Sequence, residues 1–240
     1  MKEAPTGRVT LIFTDVEGST VLWERAPEAM RQGLILHDEL MRRLIGEHDG
    51  YEVKTEGDAF MVAFADTTAA LRWCCAVQEE LLELEWPADL LAQPEAAEVV
   101  TADNGPFAGL RVRMGGHVGE PDCRPDPITG RMDYFGPMVN RAARVGAAGH
   151  GGQIVLSSAV LDEATVPTDV VTTSMGQHGL KGLVTPEELF QVLPKKVARR
   201  SFPPLRTLSI RKSNVEADDR TFVGRAGALE QLATLLDDGA

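Results

Sequence analysis

The order of apolar and polar positions predicts a chain in which strands and helices alternate. Residues 9–14 are all β-branched or apolar, which is typical of a buried strand. A short helical pattern follows at 17–25, and a longer one carries apolar side chains at helical spacing over 28–47. Two strand-like runs, 51–55 and 59–64, flank a Glu-Gly-Asp turn, and this arrangement predicts a tight β-hairpin.

The second half of the chain continues this alternation. Asp66 precedes a further helical pattern and is expected to cap it. Residues 87–108 and 121–130 are expected to be loops. Strands are expected at 110–118, 131–135, 153–156, 170–173 and 188–192, and a helix from Gly136 through Ala148. The order β-α-β-β-α-β, followed by an extra helix and strands, predicts an α+β fold: a ferredoxin-like sandwich with a mostly antiparallel sheet.

Composition narrows the classes of function. The 240 residues carry a formal net charge of −12, which disfavours binding to nucleic acid through its phosphates. Three cysteines do not suggest a disulfide framework, so we expect a reducing, cytoplasmic compartment, and the adjacent pair Cys74 and Cys75 is expected to pack in the core. The chain shows no apolar run long enough for a membrane segment and no secretory signal.

One carboxylate and the turn after it suggest polyphosphate chemistry. Asp15 stands where the first strand is expected to end, and Gly18, Ser19 and Thr20 follow it. Such an acid can hold a metal ion, while backbone N–H groups of a small-residue turn can wrap phosphates. The alternative is an ordinary strand-to-helix turn in which Asp15 or Ser19 caps the helix.

The predicted hairpin carries two further candidates. Asp58 lies at its tip, where a carboxylate is free to bind a metal ion, although Gly57-Asp58 also suits plain turn chemistry. Lys54 lies four residues earlier, at the end of its strand, and alone would be a solvated lysine.

A predicted helix carries the remaining pair. Asn140 and Arg144 are four residues apart and therefore project from one helix face. Arginine offers a fixed fork to phosphate, and asparagine can orient a sugar oxygen; a solvent-facing polar stripe is the alternative. Asp133, seven residues before Asn140, could accept a hydrogen bond from an exocyclic amine or be a loop acid. His117, in the middle of a strand, is expected to be structural.

Five sequence blocks together resemble a known family. F-T-D-V-E-G-S-T, K-T-E-G-D-A-F, R-V-R-M-G-G-H-V-G, D-Y-F-G-P-M-V-N-R-A-A-R and L-K-G resemble, in order, the motifs of class III nucleotidyl cyclase catalytic domains over residues 8–192. The fourth block is most similar to the fungal and protozoan type of adenylate cyclase. Gly116 departs from the pattern, because many members carry an apolar residue there, and we expect it to loosen local packing.

The resemblance implies a role for each candidate. Asp15 and Asp58, with the backbone of Val16, would hold two divalent cations, Mg²⁺ or Mn²⁺. Lys54 and Asp133 would read the adenine edge, and Asn140 and Arg144 would position the ribose and stabilise the transition state. The remaining residues would bind the triphosphate, through the Lys181 side chain and the backbone N–H groups of Val16, Glu17, Gly18, Ser19 and Thr20.

The implied activity is that of an adenylate cyclase, which converts ATP to 3′,5′-cyclic AMP and pyrophosphate. Lys54 and Asp58 are four residues apart, yet they would serve opposite ends of one nucleotide, so a head-to-tail homodimer with shared sites is implied. A guanylate cyclase is one alternative, and a catalytically silent nucleotide-sensing domain is another.

We expect two parts in the chain. Residues 1–194 would form the catalytic domain. Residues 195–240 would be a linker or tail, with basic residues at Lys195, Lys196, Arg199 and Arg200. Within it, residues 221–236 resemble the lead-in to a P-loop ATPase domain, which suggests a downstream regulatory domain; a disordered tail with one marginal helix is the alternative.

Overall fold

A computed structural model of the protein describes residues 3–99 and 105–208. Its strands are β1 (Val9–Val16), β2 (Tyr51–Glu56), β3 (Ala59–Phe64), β4 (Val112–Gly119), β5 (Asp122–Pro125), β6 (Met132–Phe135), β7 (Ile154–Ser157), β8 (Val170–His178) and β9 (Glu187–Pro194). Its helices are α1 (Ser19–Arg25), α2 (Pro27–Glu47), α3 (Thr67–Glu80), α4 (Ala88–Leu91), α5 (Pro137–Ala148) and α6 (Ser158–Glu163), and a 3-10 turn spans Lys195–Val197.

Seven strands form one twisted sheet in the order β2-β3-β1-β4-β7-β9-β8. The pairing of β4 with β7 is parallel, and the other neighbours in this sheet are antiparallel. Strands β5 and β6 form a separate ribbon. The β2-β3-β1-β4 half arises from a β-α-β-β-α-β order, which confirms the predicted ferredoxin-like α+β fold.

The two faces of the sheet are covered by different helices. Alternate residues of a strand point to opposite faces, so Ile12 joins a core with Leu44 and Trp73 of α2 and α3. Its neighbour Leu11 joins a second core with Met138 of α5. Helix α5 therefore lies across the face that also displays the side chain of every second residue of β1, including Asp15.

Glycines allow α5 to lie very close to the sheet. A Cβ atom on Gly115 of β4 would come within 2.8 Å of the Cα atom of Gly146 in α5. A Cβ atom on Gly116 would lie 2.2 Å from the carbonyl oxygen of Leu11, closer than real side chains approach. The expectation that Gly116 loosens local packing is therefore wrong, because the neighbouring strand already fills that space.

Several element boundaries differ from the sequence expectation. Strand β1 continues to Val16, so Asp15 lies inside the strand. The loop expected at 121–130 contains β5, whose Asp-Cys-Arg-Pro sequence has no apolar alternation and is held by pairing with β6. The region 87–108 contains the short helix α4, with Leu90 fully buried. The predicted cap is confirmed, since Asp66 Oδ1 accepts a hydrogen bond of 2.9 Å from the N–H of Thr68.

Among the described residues, the compact unit continues past Pro194 to Leu208. Arg200 is buried and donates to the side-chain oxygen of Gln78 at 2.6 Å, so it does not belong to a solvated basic patch. The second unit, residues 210–240, lies outside the described residues, and so does the predicted helix at 221–236. Among the helices of the described residues, none has the length and apolar character needed to cross a membrane.

Candidate active site

Asp15 is paired with an arginine on the neighbouring strand. It lies opposite Arg113 in the β1–β4 register, and Arg113 Nη2 is 2.5 Å from Asp15 Oδ2. Burial raises the pKa of Asp15, Arg113 opposes that rise, and the nearby Asp58 carboxylate adds to it through like-charge repulsion. The two predicted metal-binding aspartates therefore lie close together.

Asp58 provides a carboxylate oxygen without a partner. The two-residue turn Gly57-Asp58 joins β2 to β3, and Gly57 adopts φ = +65°, which glycine tolerates best. Asp58 Oδ2 is buried and has no hydrogen-bond partner among the described residues. An orphaned anionic oxygen beside a second carboxylate is a suitable cation ligand.

The donor set fits magnesium or manganese bound together with a nucleotide. Within residues 3–99 and 105–208, no group of three or more His, Cys, Asp or Glu side chains is arranged to hold a metal ion. Magnesium is commonly held by one or two protein carboxylates plus substrate phosphates and water. Asp15 and Asp58 match that smaller donor set.

The predicted phosphate-binding turn, residues 16–20, runs from the last residue of β1 to the first two residues of α1. Gly18 adopts φ = +78°, and α1 has no side-chain cap, so its first N–H groups at Ser19 and Thr20 lack intrahelical acceptors. The Glu17 N–H is already occupied, because it donates to the Arg111 carbonyl at 2.9 Å. The Glu17 N–H, which the sequence predicted as a phosphate-binding group, is therefore not free to bind phosphate.

The Glu17 side chain has a structural role that the sequence did not predict. Glu17 Oε2 accepts hydrogen bonds from the Gly151 N–H at 2.8 Å and from Arg206 Nη2 at 2.7 Å. Burial would raise the pKa of Glu17, but these two partners outweigh it and the pKa is lowered. The carboxylate is thus held as an anion between two distant parts of the chain.

Lys54 and Asp133 meet in a cavity at the side of the domain that carries the β5–β6 ribbon. Lys54 Nζ lies 3.3 Å from Asp133 Oδ2 and 3.4 Å from Oδ1. The β2 register shifts between Glu52 and Lys54, and Lys54 lies opposite Met61. This pair lines a cavity of about 290 Å³, which we call the base pocket, together with Val53, Thr55, Asp126, Thr129, Arg131 and Met132.

Asn140 and Arg144 lie on one face of α5, as their spacing predicts, and both side chains are exposed. Neither side chain makes a hydrogen bond or ion pair with another described residue. A cavity of about 160 Å³ beside the same helix is lined by residues of α5, β1 and β4, namely Phe13, Thr14, Asp15, Arg113, Ala143, Gly146 and Ala147. The small side chains of α5 thus leave open space next to Asp15.

Lys181 stands apart from the other predicted residues. It is exposed in the turn between β8 and β9 and makes no hydrogen bond or ion pair with any residue that the structure describes. The preceding residue, Leu180, packs against Val145 and Ala148 of α5. Lys181 is therefore anchored beside α5 without touching the aspartates.

His117 has the contacts of a structural residue, as expected, whereas two arginines at the site are new. His117 is buried with Nδ1 2.7 Å from Ser157 Oγ, and burial together with nearby arginines lowers its pKa to about 4, as suits a structural residue. Arg113 and Arg206 were not predicted as site residues. The alternation of the Arg-Val-Arg-Met run was a usable signal for Arg113, whereas nothing in the sequence linked Arg206 to Glu17.

Comparison with known proteins identifies the family. The family model of the adenylate and guanylate cyclase catalytic domain matches residues 1–193. The chain belongs to this cyclase family. The resemblance seen in the five sequence blocks and the predicted fold are both confirmed.

Relatives of known sequence are much longer than this cyclase chain. The adenylate cyclase of Podospora anserina is 44% identical over 230 residues, which cover 82% of this chain and 11% of the relative. That of Schizosaccharomyces pombe is 35% identical over 98% of this chain and 15% of its own length. The chain thus spans only about a tenth to a seventh of these relatives.

Solved structures show the same fold. A Trypanosoma brucei adenylate cyclase, described in its monomeric state, is 32% identical with a TM-score of 0.76, covering 85% of this chain and 95% of that one. The adenylyl cyclase of P. aeruginosa is 25% identical with a TM-score of 0.64, covering 80% of this chain and 96% of that one.

Proposed function

We propose that this domain is an adenylate cyclase that converts ATP to 3′,5′-cyclic AMP and pyrophosphate. The observation that carries the proposal is the Lys54–Asp133 pair in the base pocket. The lysine can donate to adenine N1, and the carboxylate can accept from the 6-amino group. Guanine presents a donor at N1 and an acceptor at O6, so it would leave both protein groups unpaired. This pairing disfavours a guanylate cyclase.

Asp15 and Asp58, with the backbone of Val16, would hold two divalent cations, either Mg²⁺ or Mn²⁺. Such cations, when bound, acidify the attacking 3′-hydroxyl and neutralise the triphosphate. The buried, unpartnered Asp58 Oδ2 supports this assignment. Arg113 would oppose the rise in the pKa of Asp15 that burial causes, and so favour the ionised form that can bind a cation.

The other predicted residues act on the nucleotide directly. The free N–H groups at the start of α1 would bind phosphate oxygens. Asn140 would orient the ribose, while Arg144 would stabilise the negative charge that develops at the α-phosphorus as pyrophosphate leaves. Lys181 would bind the triphosphate. The complete set of these side chains disfavours a catalytically silent nucleotide-sensing domain.

We further propose that two copies of the chain share each site head to tail. Lys54 lies in β2 and Asp58 only four residues later in the turn that follows it, yet they would serve the base and the triphosphate, at opposite ends of ATP. Asn140 and Arg144 are exposed and lack partners among the described residues, as expected of groups that complete a site with a second chain.

Free thiols at Cys74, Cys75 and Cys123 fit a reducing, cytoplasmic setting. Residues 195–240 would lead into a regulatory domain.

The test of the substrate is product formation from ATP and from GTP. The wild-type protein should make cyclic AMP, and the double variant Lys54→Glu, Asp133→Cys should shift preference toward GTP. Lys195→Glu is a control for the first of these substitutions, because it makes the same Lys-to-Glu change at an exposed lysine outside the pocket. Unchanged ATP selectivity in the double variant would refute the assignment of the base pocket.

A further inference from the structure

A segment beyond the family-matched region reaches the phosphate-binding turn. The family model ends at residue 193, whereas residues 198–208, which we call the strap, pack along the domain. Buried Arg200 donates to Gln78, to the Gly152 carbonyl at 3.0 Å and to the Pro106 carbonyl at 2.9 Å. These bonds fix the start of the strap to the domain.

The far end of the strap is anchored as well. Leu205 is buried against Val145 and Ala148 of α5. The Arg206 N–H donates to the Ala148 carbonyl at 2.8 Å, at the end of that helix. His150 Nε2 lies 3.0 Å from the Pro204 carbonyl oxygen. The Arg206 backbone therefore has a defined position, from which its side chain extends to Glu17.

Arg206 neutralises the Glu17 carboxylate, which lies where a negative charge would weaken the binding of a triphosphate. Its guanidinium lies 2.7 Å from Glu17 Oε2, and Glu17 is the second residue of the five-residue phosphate-binding turn. Both side chains are about 40% exposed, so the ion pair adds little to the stability of the fold. Its effect on a bound polyanion is different, because an uncompensated carboxylate there would repel the triphosphate.

We propose that Arg206 is a positioning residue for the nucleotide phosphates: it neutralises Glu17 and holds that carboxylate toward Gly151, so that the N–H groups of residues 18–20 stay directed at the triphosphate. This inference rests on the proposed function, since it concerns the same site. It gives Arg206 a role in nucleotide binding, although this residue lies outside the region that the family model matches.

The test compares Arg206→Met in two backgrounds, wild type and Glu17→Gln. In the wild-type background, the KM for ATP and the Kd for α,β-methylene-ATP, which the enzyme cannot cyclise, should both rise by about threefold to tenfold, while kcat changes by less than about twofold. In the Glu17→Gln background, no charge is left to compensate, so Arg206→Met should change neither constant by more than about twofold. Arg199→Met is the matched control, because Arg199 is exposed on the same strap and its side chain has no ion pair within the described residues.

Three outcomes would overturn the proposal. Unchanged constants in Arg206→Met would show that the contact has no role in binding. An equal rise in both backgrounds would show that Arg206 acts on the phosphates itself rather than through Glu17. A parallel loss of kcat and thermal stability would assign Arg206 a purely structural role. If the protein forms no cyclic AMP, the proposed function is refuted, but the Kd for the analogue still tests the role of Arg206.

Discussion

Replacing Asp58 by asparagine should make the protein more stable and less active at once. Asp58 Oδ2 is buried without a partner among the described residues, and its charge raises the pKa of Asp15. Repulsion between two nearby carboxylates is worth about 0.5–1 kcal/mol when solvent screens it, and asparagine removes this repulsion while it keeps a polar atom at the buried position. We therefore expect Asp58→Asn to raise the free energy of unfolding by about 0.5–1 kcal/mol, or the Tm by about 1–4 °C for a domain of this size.

Thermal unfolding in EDTA and in Mn²⁺ separates the two effects. In EDTA the variant should unfold at the higher temperature. Added Mn²⁺ should raise the Tm of the wild type by binding to the native state, and should raise that of the variant less. Cyclase activity should fall on the order of 100-fold or more. Asp162→Asn, which removes one exposed charge in α6, is the control and should change Tm little. A lower Tm for Asp58→Asn in EDTA would refute the reasoning.

Three further predictions concern assembly, pH and the strap. Mixed Asp58→Ala and Asn140→Ala chains should regain part of the activity, because each mixed dimer has one intact shared site; an inactive mixture of dimers would contradict sharing. The pKa of His117 is lowered from 6.5 to about 4, so between these pH values the unfolded state binds a proton that the folded state does not. The free energy of unfolding should therefore fall by about 3 kcal/mol as the pH drops from 6.5 to 4. Denaturant titrations of His117→Gln should show a fall that is smaller by this amount, and an equal dependence on pH in the two proteins would contradict the prediction. Arg200→Met should lower the free energy of unfolding by about 2–4 kcal/mol, since it leaves three acceptors, two of them fully buried, without their donor. A change below about 0.5 kcal/mol, which is the size expected for Arg199→Met, would contradict the role of these bonds.

Local patterns predicted the elements that carry the site. Three features of the site each depend on only a few neighbouring residues, and the sequence alone was enough to predict them. They are the apolar run before Asp15, the hairpin turn at Asp58 and the i,i+4 pair on α5. The side-by-side placement of Lys54 and Asp133 was expected only from the family resemblance. In the structure it depends on the ribbon of β5 and β6, and β5 looked like a loop because its sequence has no apolar alternation.

Long-range partners were not readable from the sequence. The Asp15–Arg113 pair depends on the register of β1 against β4, which a single sequence does not specify. Arg200 looked like a solvated residue because it follows other basic residues, yet the fold buries it among backbone carbonyls. The contact between Glu17 and Arg206 joins residues separated by 189 positions, and only the path of the strap brings them together.

The most direct test of the proposed activity is cyclic nucleotide production by the wild type and by Asp58→Ala, with Mg²⁺ and with Mn²⁺, from ATP and from GTP. An adenylate cyclase should make cyclic AMP from ATP and little product from GTP, and the variant should make no product with either metal. The absence of cyclic AMP in every condition, while ATP still binds, would contradict it and favour a nucleotide-sensing domain.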